Sequence, residues 1–283
     1  MTTAAIIGAG DIGGAAAHAL ARRESASRIW LVDDAGAAAA GKALDIQQSG
    51  AIEGFGTELG GTADISSIIG CDVCIVADRF GPASPEWQGD EALAHLVRVI
   101  ATIPGIPIVF AGATQATVIA RLAREAGAAP SLLMGSSPEA FCSAVRSIVA
   151  MEARCSPTEV MLNVLGTPPA GFVIPWSEAS IGGYALERVL SQVQLTRLSA
   201  RAARLWPPGP FALGQAAANV GAAVLNSSRR AFSVLTVLTG EFGVRDRVGT
   251  LPAILSSTGI VHTRVPSLNG RERVELETAL ARS

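Results

Sequence analysis

A glycine-rich motif stands near the start of the chain, with a spacing suited to binding phosphate groups. Gly8, Gly10 and Gly13 follow the pattern Gly-X-Gly-X-X-Gly, with Asp11 and Ile12 between the last two, directly after the apolar run AAIIG. Such glycines allow a tight turn, the approach of a pyrophosphate to a helix N-terminus, and close packing of that helix on the preceding strand. The motif predicts dinucleotide binding by residues 8–13, and the alternative is a turn that serves packing alone.

An acidic residue follows the motif at the distance that ribose recognition requires. Asp33 lies 20 residues beyond Gly13, at the end of the second strand-like run, RIWLVD. A carboxylate at this place accepts hydrogen bonds from the adenosine ribose and repels a 2′-phosphate. The sequence therefore favours NAD over NADP as the cofactor, and the neighbouring Asp34 strengthens this preference.

The cysteines do not form a pattern that indicates redox or metal chemistry. The chain has four of them, too few for a disulfide framework at this length. Cys71 and Cys74 form a Cys-X-X-Cys pair inside the apolar run CDVCIVA, where residues three apart on a strand point to opposite faces. We therefore predict no disulfide or metal site.

The glycine motif and Asp33 need strands and helices to position them, and the first half of the chain has the sequence pattern of such elements. β-branched runs alternate with Ala-rich helical stretches predicted at 11–22, 36–48, 90–102 and 114–127. This rhythm indicates βαβ units and a parallel sheet. From Glu139 the pattern changes to a long helix, the strand run EVMLNVLG, a helical block at 187–204, short strands and a terminal helix. We predict an α/β protein with a Rossmann-type doubly wound domain at 1–140 and a mixed α+β domain at 141–283.

Composition excludes several partners. With 22 basic and 24 acidic residues, the chain has no net field that would attract nucleic acid or an anionic membrane. The stripe of Arg197, Arg201 and Arg204 indicates a solvated helix face, and nucleic-acid binding is the weaker interpretation. The apolar stretch 212–225 is too short to cross a bilayer. No cationic leader precedes Asp11, so a cytoplasmic location is expected.

Four segments, in order along the chain, resemble the lactate and malate dehydrogenases, especially the malate-dehydrogenase-like branch. They are IIGAGDIGG, VDDAGAAAAGKALDI, GTADISSIIGCDVCIVA and GEFGVRDRVGTLPAILSSTGIVHTRVPSLNGRERVELE. The resemblance spans nearly the whole chain. It implies a Rossmann domain followed by a lactate/malate-dehydrogenase-like α+β domain, a homodimer or homotetramer, and NAD-linked interconversion of a 2-hydroxy acid and a 2-oxo acid.

The residues that carry this reaction in the family are replaced. In the segment Val-Leu-Gly-Thr-Pro-Pro, the family's catalytic histidine corresponds to Pro168, or to Pro169 with a one-residue shift. The acid that orients the histidine corresponds to Glu139, a remnant acid, and the arginine that clamps the substrate carboxylate corresponds to Cys142. Gly89 falls at a further catalytic position, in a loop that supplies arginines in the family.

Positions around the expected reaction centre also depart from the family. The loop at 80–97 contains no Lys or Arg and carries Glu86, Asp90 and Glu91. Arg79 replaces a glycine on the dinucleotide path and could pair with a pyrophosphate. Ala113-Thr114 replaces an Asn-Pro pair, and Pro208 replaces a small hydroxyl residue. Arg146, one helical turn beyond Cys142, is expected to be solvated or to contact another helix.

Two hypotheses follow. The first is a protein that binds NAD(H) but lacks the His/Arg machinery for standard 2-hydroxy acid dehydrogenation, and so is inactive or altered. The alternative is an NAD-dependent oxidoreductase that acts on a neutral or cationic substrate. In that case Glu139 is the acid, and His95 or Cys142 carries the proton.

Overall fold

The computed structural model describes residues 1–81, 87–168 and 171–281. Its helices are α1 Asp11–Arg22, α2 Gly36–Glu53, α3 Gly89–Thr102, α4 Ala116–Glu125, α5 Ser137–Ala153, α6 Leu186–Val189, α7 Gln192–Ala202, α8 Pro210–Leu225 and α9 Gly270–Ala281. Its strands are β1 Thr3–Ile7, β2 Arg28–Val32, β3 Glu58–Thr62, β4 Val73–Val76, β5 Ile108–Phe110, β6 Leu133–Gly135, β7 Val160–Met161, β8 Leu165–Thr167, β9 Gly171–Val173, β10 Ser180–Ile181, β11 Tyr184–Ala185, β12 Ala231–Thr239, β13 Arg245–Ser256 and β14 Gly259–Thr263.

The main sheet has the order of a doubly wound fold. Strands β3-β2-β1-β4-β5-β6 are parallel, and β1 lies at the point where the chain changes direction across the sheet. The sheet continues through the antiparallel strands β12, β13, β8 and β9, with β14 on β13. The α/β Rossmann-type prediction is confirmed. The predicted boundary near residue 140 falls within α5, and the pairing of β6 with β12 carries the sheet past it.

Alternate residues of β1 point to opposite faces of the sheet, and helices cover both faces. Ala4 and Ile6 are buried in one apolar cluster, and Ala5 and Ile7 in another. α8, from the second half of the chain, packs on α1, because Gly214 has no side chain to separate the two helices. One face of the sheet at β1 is thereby covered by helices from both halves of the chain.

Two predicted elements of the second half are divided in the structure. The strand run 159–166 forms β7 and β8, because β7 pairs with β10 in a small separate sheet while β8 pairs with β13 in the main sheet. The helical block 187–204 breaks before Ser191, whose hydroxyl and Gln194 form a capping box that starts α7.

The Cys-X-X-Cys pair is not arranged as predicted. Cys71 precedes β4 rather than lying within it, so the alternation along a strand does not separate it from Cys74. Both thiols are buried in the same apolar cluster, and neither forms a disulfide.

Within the described part of the chain, no helix is both long and apolar enough to cross a membrane.

Candidate functional site

The glycine motif forms the turn between β1 and α1. Gly8 has φ +104°, a left-handed conformation that a side chain disfavours, and its N–H donates to the Val32 carbonyl at 2.7 Å. A Cβ on Gly13 would overlap the Gly8 carbonyl oxygen, so α1 packs directly against the end of β1. Asp11 is exposed and Ile12 is buried at the first turn of α1. The turn therefore has the geometry that the motif predicts.

Asp33 lies at the carboxyl end of β2, beside this turn. It is 6% exposed, and its carboxylate accepts hydrogen bonds from the N–H groups of Ala9 (2.8 Å), Phe80 (2.8 Å) and Ala35 (2.9 Å). Asp34 is exposed next to it. Asp33 thus ties three loops together at the place where the sequence predicts recognition of a ribose.

A second acid fills the phosphate-binding side of the turn. Asp78, directly beyond β4, is 3% exposed, and its carboxylate accepts from the N–H groups of Asp11 (2.9 Å) and Gly13 (3.0 Å) at the N-terminus of α1. A Cβ on Gly10 would overlap this carboxylate, so the space that the glycine opens is occupied by the chain itself. Amides at a helix N-terminus attract anions, and here the anion is a side chain.

The contacts of Asp33 and Asp78 bear on whether a dinucleotide can bind at this turn. The Gly8–Gly13 turn and the position of Asp33 at the end of β2 match a site for the adenosine end, and the Asp33 carboxylate there is already held by three backbone N–H groups. At the diphosphate end the Asp78 carboxylate already accepts from the Asp11 and Gly13 N–H groups, so a diphosphate has to displace this carboxylate and meets its negative charge.

Two cations flank the turn. Lys42, the only lysine in the chain, donates from Nζ to the Gly10 carbonyl at 2.7 Å. The guanidinium of Arg79 lies 4.7 Å from the Trp87 ring centre, and its Nη1 is 3.9 Å from Glu91. Arg79, predicted as a partner for a pyrophosphate, is therefore engaged with α3 and the residues before it.

A cavity of about 480 Å³ lies where the family resemblance places the reaction. Pro168 and Gly89 line it together with Trp87, Gln88, Thr114, Ala116, Thr117, Val118 and Arg121. Arg121 is the one ionisable side chain among these described lining residues, and it bonds to Asp90 (2.8 Å) and Glu125 (2.9 Å). Two of the residues singled out from the sequence in this region, Glu86 and Pro169, lie outside the described residues.

His95 lies behind one wall of this cavity. Its ring stacks on Trp87 with centroids 4.6 Å apart, and Trp87 donates from Nε1 to the Ala77 carbonyl at 2.7 Å. Partial burial is the main cause that lowers the pKa of His95; the charges of Asp34 and Glu91 oppose it and those of Arg98 and Arg79 add to it, so the pKa lies below its usual value. The imidazole is thus neutral near pH 7 and packs against the tryptophan.

Glu139 lines a different cavity from Pro168, at the start of α5. It is 4% exposed, and its Oε1 lies 3.3 Å from both Arg146 Nη1 and Arg230 Nη2, while Oε2 accepts from the Ser233 N–H at 3.2 Å. Arg146 is mostly buried and contacts an acid of its own helix, contrary to the prediction of a solvated or inter-helix arginine. The remnant acid is part of an ion-pair cluster and does not line the cavity beside Pro168.

Cys142 follows Glu139 on the inner face of α5. Its thiol is fully buried, 3.6 Å from the Leu162 carbonyl oxygen and 3.7 Å from the Ser233 hydroxyl. Burial raises the pKa of Cys142 to about 12, and the charge of Glu139 adds to the rise. A thiol with this pKa holds its proton at neutral pH, so it can neither clamp a carboxylate nor exchange a proton readily.

We expect a thiol reagent such as Ellman's to label one cysteine quickly in the native protein and all four after denaturation. Cys155 is partly exposed, whereas Cys71, Cys74 and Cys142 are buried. Burial also raises the pKa of Cys71 to about 12 and that of Cys74 well above its usual value. The variant Cys155→Ser should lose the fast phase. Rapid labelling of a second thiol would show that at least one of Cys71, Cys74 and Cys142 is accessible, contrary to the structure.

Sequence reasoning assigns no role to two residues at the turn. They are Asp78, which follows β4, and Lys42 on α2. The only local signal for Asp78 is an acid two residues beyond a parallel strand, and the strand order is needed to place it beside the glycine turn.

The sheet order, and the glycine turn at the carboxyl edge beside the point where the order reverses, define a Rossmann-type α/β protein. Malate dehydrogenases match the chain over nearly its whole length. The chain is 26% identical over 290 residues to malate dehydrogenase of Salinibacter ruber, in a match that covers 97% of this chain and 92% of the relative. It is 25% identical over 291 residues to malate dehydrogenase of Cytophaga hutchinsonii, with 97% and 93% covered. No protein-family model matches the chain.

Solved structures of lactate and malate dehydrogenases share the fold. Malate dehydrogenase of Salinibacter ruber superposes with a TM-score of 0.87 at 23% identity, covering 99% of this chain and 95% of that one. Lactate dehydrogenase of Cryptosporidium parvum, solved with lactic acid and nicotinamide adenine dinucleotide, superposes with a TM-score of 0.89 at 21% identity, covering 99% and 95%. The whole chain therefore has the lactate/malate dehydrogenase fold.

Proposed function

We propose that this protein is a catalytically inactive relative of the malate dehydrogenases. The observation that carries the proposal is the cavity beside Pro168. Its described lining residues include no His, Cys, Asp or Glu that could transfer a proton, and its one arginine is held by two acids. A hydride transfer between a 2-hydroxy acid and NAD needs both a proton carrier and a cation for the substrate carboxylate.

The size of the loss supports inactivity rather than a modest reduction in rate. A positioned general acid/base contributes roughly 10²–10⁴ in rate. A buried carboxylate deprived of its arginine costs about 3–5 kcal/mol. The two effects are not additive, yet either one alone reduces turnover of pyruvate or oxaloacetate by orders of magnitude.

The nucleotide in this proposal is NAD. Asp33 at the end of β2 and the exposed Asp34 favour an unphosphorylated ribose, and the lactate dehydrogenase neighbour is solved with NAD. Asp78 keeps the affinity low, because its carboxylate holds the amides that a diphosphate would use. We further propose a homodimer or homotetramer in the cytoplasm, and the division into a Rossmann domain at 1–140 and a mixed domain at 141–283.

The test is an assay with NADH and a panel of 2-oxo acids, including oxaloacetate and pyruvate, beside the Salinibacter ruber malate dehydrogenase as a positive control. We expect no NADH oxidation above the rate without protein, because the cavity supplies neither proton carrier nor free cation among its described lining residues. Measurable turnover of any 2-oxo acid would overturn the proposal.

A second candidate function is favoured by one observation, the mostly apolar and neutral lining of the cavity beside Pro168. This lining suits a neutral substrate better than a dicarboxylate, as expected for an NAD-dependent oxidoreductase acting on a neutral or cationic substrate. A screen of alcohols, amines and carbonyl compounds with NAD and NADH tests it. If activity is found, unchanged turnover by Glu139→Gln removes Glu139 from the mechanism. A loss of activity supports a role for Glu139 only if circular dichroism shows that the variant is folded under the assay conditions.

A further inference from the structure

Four arginines converge on a cavity that is separate from both the glycine turn and Pro168. The cavity has a volume of about 530 Å³ and lies between α5, the segment after β7, the start of β12 and the chain beyond β14. Arg146, Arg229, Arg230 and Arg264 line it, and Glu178 is the one acid among the described lining residues.

The four guanidinium groups are only partly neutralised. Arg146 and Arg230 share a single oxygen of Glu139, so one carboxylate serves two cations. Arg229 and Arg264 are exposed and have no acidic partner within the described residues. Four cations and the two acids, Glu139 and Glu178, leave two positive charges uncompensated.

Two of these guanidinium groups, those of Arg146 and Arg230, are held by other contacts as well. Arg146 Nη2 donates to the Leu162 carbonyl at 3.4 Å, and the guanidinium of Arg230 lies 5.0 Å from the Phe232 ring centre. The Nε of Arg146 is buried without a partner among the described atoms. Asn163 adds a neutral amide to the same wall. Held guanidinium groups lose less side-chain entropy when an anion binds them.

We propose that this cavity binds a small molecule with at least two negative charges, from phosphoryl or carboxylate groups. Guanidinium groups recognise both by paired hydrogen bonds, and cavities of this volume hold small organic ligands. The four arginines come from three segments far apart in sequence, and the fold brings their positive charges close together. A bound anion would offset the repulsion between these charges. The site goes beyond the proposed function, because it shares no lining residue with the cavity at Pro168.

The test uses calorimetric titration of the full chain with inorganic diphosphate and, separately, with tricarballylate, at low and constant ionic strength. We expect saturable binding of at least one probe to the wild type. The variant Arg229→Ala/Arg264→Ala should bind that probe at least tenfold more weakly, because it removes the two arginines that lack an acidic partner. Both residues are exposed, so the variant should fold normally.

The matched control is Arg197→Ala/Arg201→Ala, which removes the same charge from exposed positions on α7 outside the cavity. It should bind the probe as the wild type does. Binding of diphosphate alone assigns the ligand to phosphorylated molecules, and binding of tricarballylate alone assigns it to polycarboxylates. The proposal fails if neither probe binds the wild type, or if both double variants weaken binding equally. It also fails if Arg229→Ala/Arg264→Ala leaves the affinity for the probe unchanged. That result is expected if the probe binds at the glycine turn.

Discussion

Asp78→Ala is expected to raise the affinity of this protein for NADH by at least tenfold. The carboxylate of Asp78 accepts from two amides at the N-terminus of α1 and fills the space above Gly10. Its removal frees the amides for a diphosphate and removes a repulsion of about 4 kcal/mol between unit charges 4 Å apart near a protein surface. A tenfold change in affinity corresponds to about 1.4 kcal/mol of binding free energy, which is less than the repulsion that the substitution removes.

Two further variants separate charge from shape. Asp78→Asn keeps the size of the side chain and removes its charge, so it should give part of the gain. Asp72→Ala is the matched control, because Asp72 lies at the opposite end of β4 and caps the Thr3 N–H at 2.8 Å. It should leave NADH binding unchanged. Calorimetric titration measures the affinity of the wild type and of the three variants for NADH.

The outcomes distinguish this expectation from the proposed function. If the wild type and Asp78→Ala bind NADH equally well, Asp78 does not compete with the diphosphate, and NAD binding as proposed stands. If neither protein binds NADH, the glycine turn serves packing alone. Weaker binding by Asp78→Ala would mean that the carboxylate supports the bound nucleotide.

Glu139→Ala is expected to reduce the free energy of unfolding by about 3–5 kcal/mol, the usual cost of leaving a buried charge without its partner. Glu139 is 4% exposed and contacts Arg146, whose side chain is 18% exposed, together with Arg230 and the Ser233 N–H. Removing the carboxylate leaves the Arg146 guanidinium uncompensated in the interior. Urea denaturation followed by circular dichroism measures the loss.

The control for this prediction is Glu275→Ala, which breaks the exposed pair of Glu275 with Arg271 and should change stability little. The double variant Glu139→Ala/Arg146→Met removes the buried cation as well and should recover part of the loss. A Glu139→Ala protein as stable as the wild type would show that the cluster contributes no net stability.

The local sequence pattern predicted most of the secondary structure in the first half of the chain. α1 begins and ends where the sequence predicts, because the glycine turn and the apolar periodicity fix both ends. α2 runs beyond the predicted residue 48 to Glu53 and ends at Gly54 in the left-handed conformation. The division of 159–166 into β7 and β8 was not predictable locally, because each part pairs with a strand far away in sequence.

The sequence by itself determined the glycine turn, the acid at the end of β2, and the proline and cysteine at positions where the resembling family has a histidine and an arginine. Each of these follows from residue type and short-range spacing. Only the tertiary structure decided that Asp78 caps α1, because the order of the parallel strands brings the end of β4 to a turn 65 residues earlier in the chain. It also decided that Arg146, Arg230 and Arg264 share one cavity, since α5, β12 and β14 meet only through long-range packing.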